Sequence, residues 1–222
     1  MTGKNIKRLV LFLILILPSA IYIALTTGNH NFVHLPIVGG ENPIIIPDFS
    51  FPNQFGDTIT SADYAGNVYV ANFVFTTCPT ICPVMTYQMR RVQQKFENSP
   101  NFKILSHSVN PEYDTPEVLL EYANHMEADL SNWNFVTGTK HSIYTIANSY
   151  LVNAMEDSVA PGGFLHSELF VLVDKEGRIR ARTDDQGNSI GAYDGTSEHD
   201  MGLLIDDIKV LMAEYNLAKK EK

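Results

Sequence analysis

Apolar residues form one uninterrupted run near the start of the chain, over residues 9–25. Lys4, Lys7 and Arg8 precede this run, and no cluster of basic residues follows it. A run of this length approaches what a helix needs to cross a bilayer, and basic residues favour the cytoplasmic side. The pattern therefore predicts a cytoplasmic segment over residues 1–8, a transmembrane anchor over 9–25 and export of the remaining chain.

A cleaved signal peptide is the alternative interpretation of the apolar run. The run is longer than the roughly 7–15 apolar residues of a signal-peptide core. No clear small-x-small cleavage site follows it over residues 26–30. An uncleaved anchor is therefore favoured. Glycine and proline then recur over residues 26–47 with little periodicity, which predicts a linker.

Beyond the linker, strand-like and helix-like patterns alternate along the chain. A hairpin is predicted over residues 49–59, with its turn at 53–57. The other predicted elements are strands over 68–75, 102–109 and 134–137, helices over 83–96, 115–126 and 139–150, a strand pair over 168–174 and 178–183, and a closing helix over 197–215. This order predicts an α/β domain over residues 48–218, with a central mixed, mostly parallel β-sheet, helices on both faces and an antiparallel edge. The tail over 219–222 is expected to fray.

Charge excludes one class of partner. The chain has 16 basic and 25 acidic residues, for a formal net charge of −9. No basic stripe is present that would bind phosphates, so nucleic acid is not expected as a partner. An acidic surface suits a basic protein partner, although it also promotes solubility.

The chain has only two cysteines, Cys78 and Cys82. A disulfide that closes so small a loop adds little stability, so the pair is better explained as a chemically active site than as a structural disulfide. Both cysteines follow the predicted strand over 68–75, and ligand sites of open α/β sheets form beyond the carboxyl ends of strands. A helix starting here would place the two sulfurs on one side, and its N-terminus would lower the thiol pKa.

Two chemistries remain open for this pair on the residues alone. Two thiolates suit a soft metal such as Cu(I), zinc or an iron–sulfur centre. They also suit disulfide exchange, although thioredoxin-type enzymes usually have two intervening residues rather than three. Two cysteines are too few for a closed zinc site, so a metal would need a ligand from elsewhere. The structural alternative is a pair of buried cysteines that act as small apolar residues.

Three separated segments carry a resemblance to a known family. They are Phe75-Thr-Thr-Cys-Pro-Thr-Ile-Cys-Pro83, Ser108-Val-Asn-Pro-Glu-Tyr-Asp-Thr-Pro116 and Leu165-His-Ser167. In this order the segments resemble the Sco/SenC family, whose domain is thioredoxin-like. The resemblance implies copper binding through Cys78, Cys82 and His166. It also implies assistance in building the binuclear copper site of cytochrome c oxidase, with that enzyme's copper-bearing subunit or another copper protein as the partner.

The resemblance implies further details of the site and its location. Asp114 matches an acidic residue that lies near the metal in the family, whereas Asn110 replaces the family's first aspartate of that segment. In the oxidised form Cys78 and Cys82 would make a disulfide and could not supply thiolates. The protein is expected in the inner membrane as a single-pass protein, with its globular domain in the periplasm.

Two functions from different classes follow from these expectations. The first is a copper chaperone that passes the metal to a partner by ligand exchange. The second is a thiol–disulfide oxidoreductase that reduces the cysteines of a copper-site partner. Copper or redox sensing has no specific support, and no activating arginine for a peroxidase is evident in the motif.

Histidine and methionine provide the remaining candidate ligands. From the residues alone, His166 follows the flexible segment 160–163 and is predicted to lie in a loop before a strand. Met85 could offer a thioether, but its apolar helix face favours a core position. Ordinary core or surface positions are the expectation for His30, His34, His107, His125, His141 and His199.

Overall fold

The computed structural model describes residues 3–27, 34–152, 154–156, 164–183 and 189–218. The chain divides into two compact units, Met1–Val33 and His34–Lys222. The first unit contains a helix, α1 (Gly3–Thr27). Among the helices in the described ranges, none is both long and apolar enough to cross a membrane, so the anchor expected over 9–25 is not confirmed.

The second unit contains the sheet and its helices. In chain order its elements are β1 (Ser50–Pro52), β2 (Thr58–Thr60), α2 (Ser61–Tyr64), β3 (Val68–Val74), α3 (Ile81–Lys95), β4 (Phe102–Ser108), α4 (Pro116–His125), β5 (Trp133–Val136), α5 (Lys140–Ser149), β6 (Ala154–Glu156), β7 (Phe164–His166), β8 (Leu169–Val173), β9 (Arg182–Thr183), β10 (Ser189–Ile190), β11 (Tyr193–Asp194) and α6 (Glu198–Ala218).

A five-stranded mixed sheet of order β11-β8-β3-β4-β5 organises this unit. The pairs β3–β4 and β4–β5 are parallel, whereas β8 is antiparallel to both β3 and β11. All seven residues of β3 are buried, as the continuous apolar run predicted for a central strand. The predicted mixed sheet with an antiparallel edge is therefore confirmed.

Each face of the sheet has its own apolar core. On one face, residues of α3, α4 and α6 such as Met89, Leu119 and Leu204 pack together. On the other face, Ile143 and Ile146 of α5 pack in one cluster with residues that precede β3, such as Phe49. The predicted placement of helices on both faces is confirmed. Thr115 is the N-cap of α4, as predicted: its hydroxyl oxygen accepts a hydrogen bond from the Val118 N–H.

The predicted N-terminal hairpin is present and covers the β5 edge of the sheet. Its strands β1 and β2 pair antiparallel. The Thr137 N–H donates to the Pro52 carbonyl at 3.0 Å, and the Phe135 N–H donates to Gln54 Oε1 at 2.8 Å. These bonds satisfy edge groups that would otherwise invite pairing with another chain.

The linker predicted over residues 26–47 includes residues that the structure places in the folded unit. The Leu35 N–H donates to Glu214 at 2.7 Å, and its carbonyl accepts from the buried Arg180 guanidinium. Farther on, Ile37 and Ile45 form bridges with the segment 178–180. Residues 35–46 therefore belong to the folded unit, because a buried ion-pair network and backbone bonds hold them there. The sequence pattern missed this because the contacts join segments far apart along the chain.

The strand pair predicted around residues 175–177 is only partly correct. The turn is present, because the Gly177 N–H donates to the Asp174 carbonyl and the Asp174 N–H donates to Arg178. Beyond Arg180 the chain leaves β8, and β9 pairs with β10 instead. The edge position next to β8 is filled by β11, which the sequence did not predict.

His107 is fully buried in β4, as expected of a core histidine. Its ring stacks on Phe73 at 4.8 Å between centroids and meets the rings of Phe49, Phe51 and Tyr150. Neither ring nitrogen makes a well-aligned hydrogen bond within the described residues. Burial lowers the pKa of His107 to about 3, with the Asn72 backbone acting in the opposite direction.

His107→Phe is expected to make the free energy of unfolding less sensitive to pH between about 6.5 and 3. The ordinary imidazole pKa is 6.5, against about 3 in the fold. His107 therefore contributes its full stability above pH 6.5, and that contribution falls with pH by up to about 1.4 kcal/mol per unit, because the unfolded chain binds the proton first. Denaturant titrations at several pH values measure this slope. The exposed His125, changed to Phe, is the matched control; an unchanged slope in His107→Phe contradicts the prediction.

Candidate metal centre

The cysteine segment lies at the carboxyl edge of the sheet, directly after β3. The strand ends at Val74, and the Cys78 N–H donates to the Phe75 carbonyl at 3.2 Å, which turns the chain toward α3. The helix begins at Ile81, two residues earlier than predicted, so Cys82 lies in its first turn and Cys78 precedes it. The predicted position at a strand-to-helix turn is confirmed for Cys78.

The two cysteines are linked through the first turn of the helix. The Cys82 N–H donates to Cys78 Sγ at 3.4 Å. Cys78 Sγ is also 3.9 Å from Thr80 Oγ1. The contact does not arise from two positions on one helix face, as the i, i+4 spacing suggested. It arises because Cys78 accepts a backbone donor of the first turn, one of the donors that a helix N-terminus leaves without an intrahelical partner.

The two thiols differ in exposure. Cys78 is 8% exposed, whereas Cys82 is 0% exposed. A hydrogen bond with Cys78 and then burial raise the pKa of the Cys82 thiol far above its usual range. The expectation that the helix N-terminus lowers the thiol pKa is therefore wrong for Cys82, because the hydrogen bond with Cys78 and burial both disfavour the Cys82 thiolate. Cys78 is therefore the more exposed of the two thiols.

Asp114 fixes the segment that leads into Cys78. The carboxylate is fully buried and accepts from the Thr76 N–H at 3.2 Å, the Thr76 hydroxyl and the Ser108 hydroxyl. Burial raises the pKa of Asp114, and the hydrogen bonds from Ser108 and Thr76 oppose this. Asp114 therefore ties the β4–α4 connection to the end of β3.

A second contact ties α4 to the first turn of α3. The Tyr122 hydroxyl donates to the Cys82 carbonyl at 3.5 Å and lies 2.7 Å from Thr86 Oγ1. Sequence reasoning missed Thr76, Ser108 and Tyr122. The signal that could have found the first two is their place at the ends of adjacent apolar strands, because parallel strands end at the same edge.

His166 is the last residue of β7, where its backbone pairs with Ala154 of β6. The expectation of a loop is therefore wrong for His166. Its side chain and the preceding segment 160–163 lie outside the described residues. Antiparallel β8 pairs Val171 with Ala71, so its first residue, Leu169, lies toward the end of β3 that leads to Cys78. His166 precedes Leu169 by three residues in the chain.

The family model described as SCO1/SenC matches residues 39–198. The chain belongs to the SCO1/SenC family. A relative, "SCO1 protein homolog" from Bacillus subtilis, is 30% identical over 190 residues, which cover 82% of this chain and 93% of the relative. The predicted family and thioredoxin-like fold are therefore confirmed.

Two solved structures are similar in fold. One is BsSco, described as a member of the Sco family of cytochrome c oxidase assembly proteins with a disulfide switch; it is 28% identical, with a TM-score of 0.64 over 79% of this chain and 97% of that chain. The other is Bradyrhizobium japonicum ScoI with copper bound, at 22% identity and a TM-score of 0.58 over 72% of this chain and 97% of that chain. The second likeness concerns the fold alone.

The other candidate ligands that the structure describes in this SCO1/SenC chain do not join the cysteines. Met85 packs in the core on the α3 face, as expected, whereas both cysteines belong to the opposite core. Exposure is confirmed for His34, His125, His141 and His199. His30 lies outside the described residues. Among the side chains that the structure describes, no group of three or more His, Cys, Asp or Glu could hold a metal ion.

Asp114→Ala is expected to lower the free energy of unfolding by about 1–3 kcal/mol, because the buried Ser108 hydroxyl and the half-buried Thr76 N–H lose their acceptor. Ser108→Ala removes one partner of the same carboxylate. In a double-mutant cycle the two changes should couple by about 0.5 kcal/mol or more. Denaturant titration measures both quantities, and Asp206→Ala on the surface of α6 is the control. Additive effects of Ser108→Ala and Asp114→Ala would show that the carboxylate does not join the two strand ends.

Proposed function

We propose that this protein binds a copper ion as cargo through Cys78, Cys82 and His166 and passes it to the copper-bearing subunit of cytochrome c oxidase. The observation that carries the proposal is the link between the two cysteines at a helix start: the backbone N–H of Cys82 donates to Cys78 Sγ at 3.4 Å, and the two side chains interact. Soft sulfur donors in a neutral, buried setting favour Cu(I). Membership of the SCO1/SenC family adds support.

His166 supplies the third ligand in this proposal. Its support is that it precedes Leu169 by three residues, and Leu169 begins β8 toward the end of β3 that leads to Cys78. A neutral imidazole is a borderline donor, so it lets the site hold Cu(II) as well as Cu(I). Asp114 has its oxygens engaged by Thr76 and Ser108, so its role in the proposal is to position the cysteine segment.

Copper titration of the purified protein tests the ligand set. The wild-type protein should take up one copper ion per chain, because three ligands make one site. Removing a soft donor or the imidazole should weaken binding by at least about tenfold, since each ligand contributes directly to the site. The variants are Cys78→Ser, Cys82→Ser and His166→Ala, with the exposed His125→Ala as the control. If His166→Ala binds copper as tightly as His125→Ala does, the three-ligand site is wrong.

A thiol–disulfide oxidoreductase is the second candidate function. It is favoured by the adjacency of the two thiols and the greater exposure of Cys78. In this reaction Cys78 attacks a disulfide of the partner's copper site and releases one partner thiol. Cys82 then attacks the mixed disulfide and releases the second thiol. Two electrons and two protons pass to the partner, and Cys78 and Cys82 become a disulfide.

Copper loading of the oxidised protein, together with peptide reduction by His166→Ala, distinguishes the two functions. Oxidation of Cys78 and Cys82 should abolish copper loading until a reductant restores the thiols, because a disulfide supplies no thiolate. Equilibrium dialysis with copper, before and after reduction, measures this loss. His166→Ala should lose copper but still reduce an oxidised partner peptide, since disulfide exchange does not need an imidazole. A wild-type protein that reduces the peptide rapidly but retains no copper through gel filtration would favour the reductase.

The cellular location rests on the sequence pattern. A single-pass position in the inner membrane, with the globular unit in the periplasm, is supported by the apolar run over residues 9–25 and the basic residues before it. It stays a prediction.

A further inference from the structure

The surface around the cysteines differs in charge from the rest of the protein. No charged residue occurs from Tyr64 to Met89, although the chain has 16 basic and 25 acidic residues. This stretch includes β3, the cysteine segment and the first half of α3. The segment that contains Cys78 therefore contributes no formal charge to the surface.

Several apolar side chains on this surface are exposed. Val84 is 44% exposed and Tyr87 is 52% exposed, and both lie in the first two turns of α3. Pro79 and Pro83 are also exposed, and each directly follows one of the cysteines. We call Pro79, Pro83, Val84 and Tyr87 the apolar collar. Val84 and Tyr87 are neighbours on one helix face, because they are three residues apart.

Three carboxylates lie at the edge of the sheet that bears Cys78. Glu112 and Glu117 lie between the end of β4 and the first turn of α4, and Glu168 lies directly before β8. All three are exposed. Because β4 is parallel to β3 and β8 is antiparallel to it, these positions share the edge that bears Cys78. We call these three residues the acidic rim.

Positive charge near the collar is mostly neutralised by pairing. Arg91 of α3 lies 3.0 Å from Glu198, and Arg90 forms an ion pair with Glu127. The Arg90 guanidinium also lies over the Tyr87 ring, 5.9 Å from its centroid. The cysteine segment itself is therefore uncharged, and exposed carboxylates lie at the same edge of the sheet.

We propose that the apolar collar and the acidic rim form the docking surface for the recipient protein, and that the recipient presents an apolar patch flanked by lysine and arginine. This inference rests on the proposed function. Exposed apolar patches with polar margins mark protein interaction sites. The collar would exclude water from the thiols during transfer, while the rim would attract a basic surface from a distance.

The two parts of the surface should affect different rate constants. Central apolar contacts act mainly on dissociation, whereas rim charges act on association and its dependence on salt. The probe is the same organism's copper-bearing oxidase subunit, purified without copper and immobilised, and the full-length protein is passed over it. Copper loading of each variant is measured separately.

Val84→Asp and Tyr87→Ala should raise the dissociation rate by about tenfold or more, because each removes an apolar contact at the centre. Copper loading should stay at the wild-type level. Ile190→Asp is the matched control, because Ile190 is 43% exposed and lies on β10, outside the collar. If Val84→Asp and Tyr87→Ala dissociate at the rate of Ile190→Asp, the collar is not the docking surface.

Glu112→Gln and Glu168→Gln should lower the association rate and flatten its decrease with added salt. Glu97→Gln, at the exposed C-terminal end of α3, is the matched control. If the association rate does not change with salt, or if Glu97→Gln changes it as much as the two rim variants do, the inference that the recipient presents a basic surface is wrong. Normal copper loading with no binding to the subunit also overturns the docking surface. Absent copper loading with collar-dependent binding would overturn the copper cargo and support the docking surface.

Discussion

The parallel pairing of β3 with β4 is the constraint on which the candidate site depends. The register runs without a break from Val68 opposite Phe102 to Val74 opposite Ser108. Two strands that run in the same direction end at the same edge, so Thr76 and Ser108 come together there. Asp114 then bonds both, and this bond directs the chain into Cys78. A shift of one residue in this register would turn the polar side chains to the wrong face.

The site combines one accessible thiol with one inaccessible thiol. Cys78 lies near the surface before the helix, whereas Cys82 is fully buried within its first turn. Burial keeps Cys82 protonated, because a thiolate without a nearby cation is costly in an apolar setting. Both proposed reactions use this asymmetry. In each, Cys78 acts first, by binding the metal cation or by forming the mixed disulfide, and Cys82 joins second. The absence of charged residues from Tyr64 to Met89 preserves the apolar setting.

Most elements of the fold could be predicted because their patterns are local. The continuous apolar run of β3 and the Thr115-Pro116 start of α4 were sufficient. Elements that depend on distant partners could not be predicted. Leu35 is held by Arg180 and Glu214, and β11 completes the sheet beside β8. Polar residues with weak strand preference can form such edges when a neighbouring strand offers free backbone groups.

The sequence by itself determined that Cys78 and Cys82 follow a buried strand, that they are the only cysteines, and that three segments resemble one family. It could not determine how the sulfurs meet, because i, i+4 spacing assumes that both residues are helical. Only the tertiary structure decided that Cys78 precedes the helix and accepts the Cys82 N–H, and that Asp114 supports this turn. The physical reason is that these contacts join strand ends and helix starts, whose positions are set by packing between segments rather than by local preference.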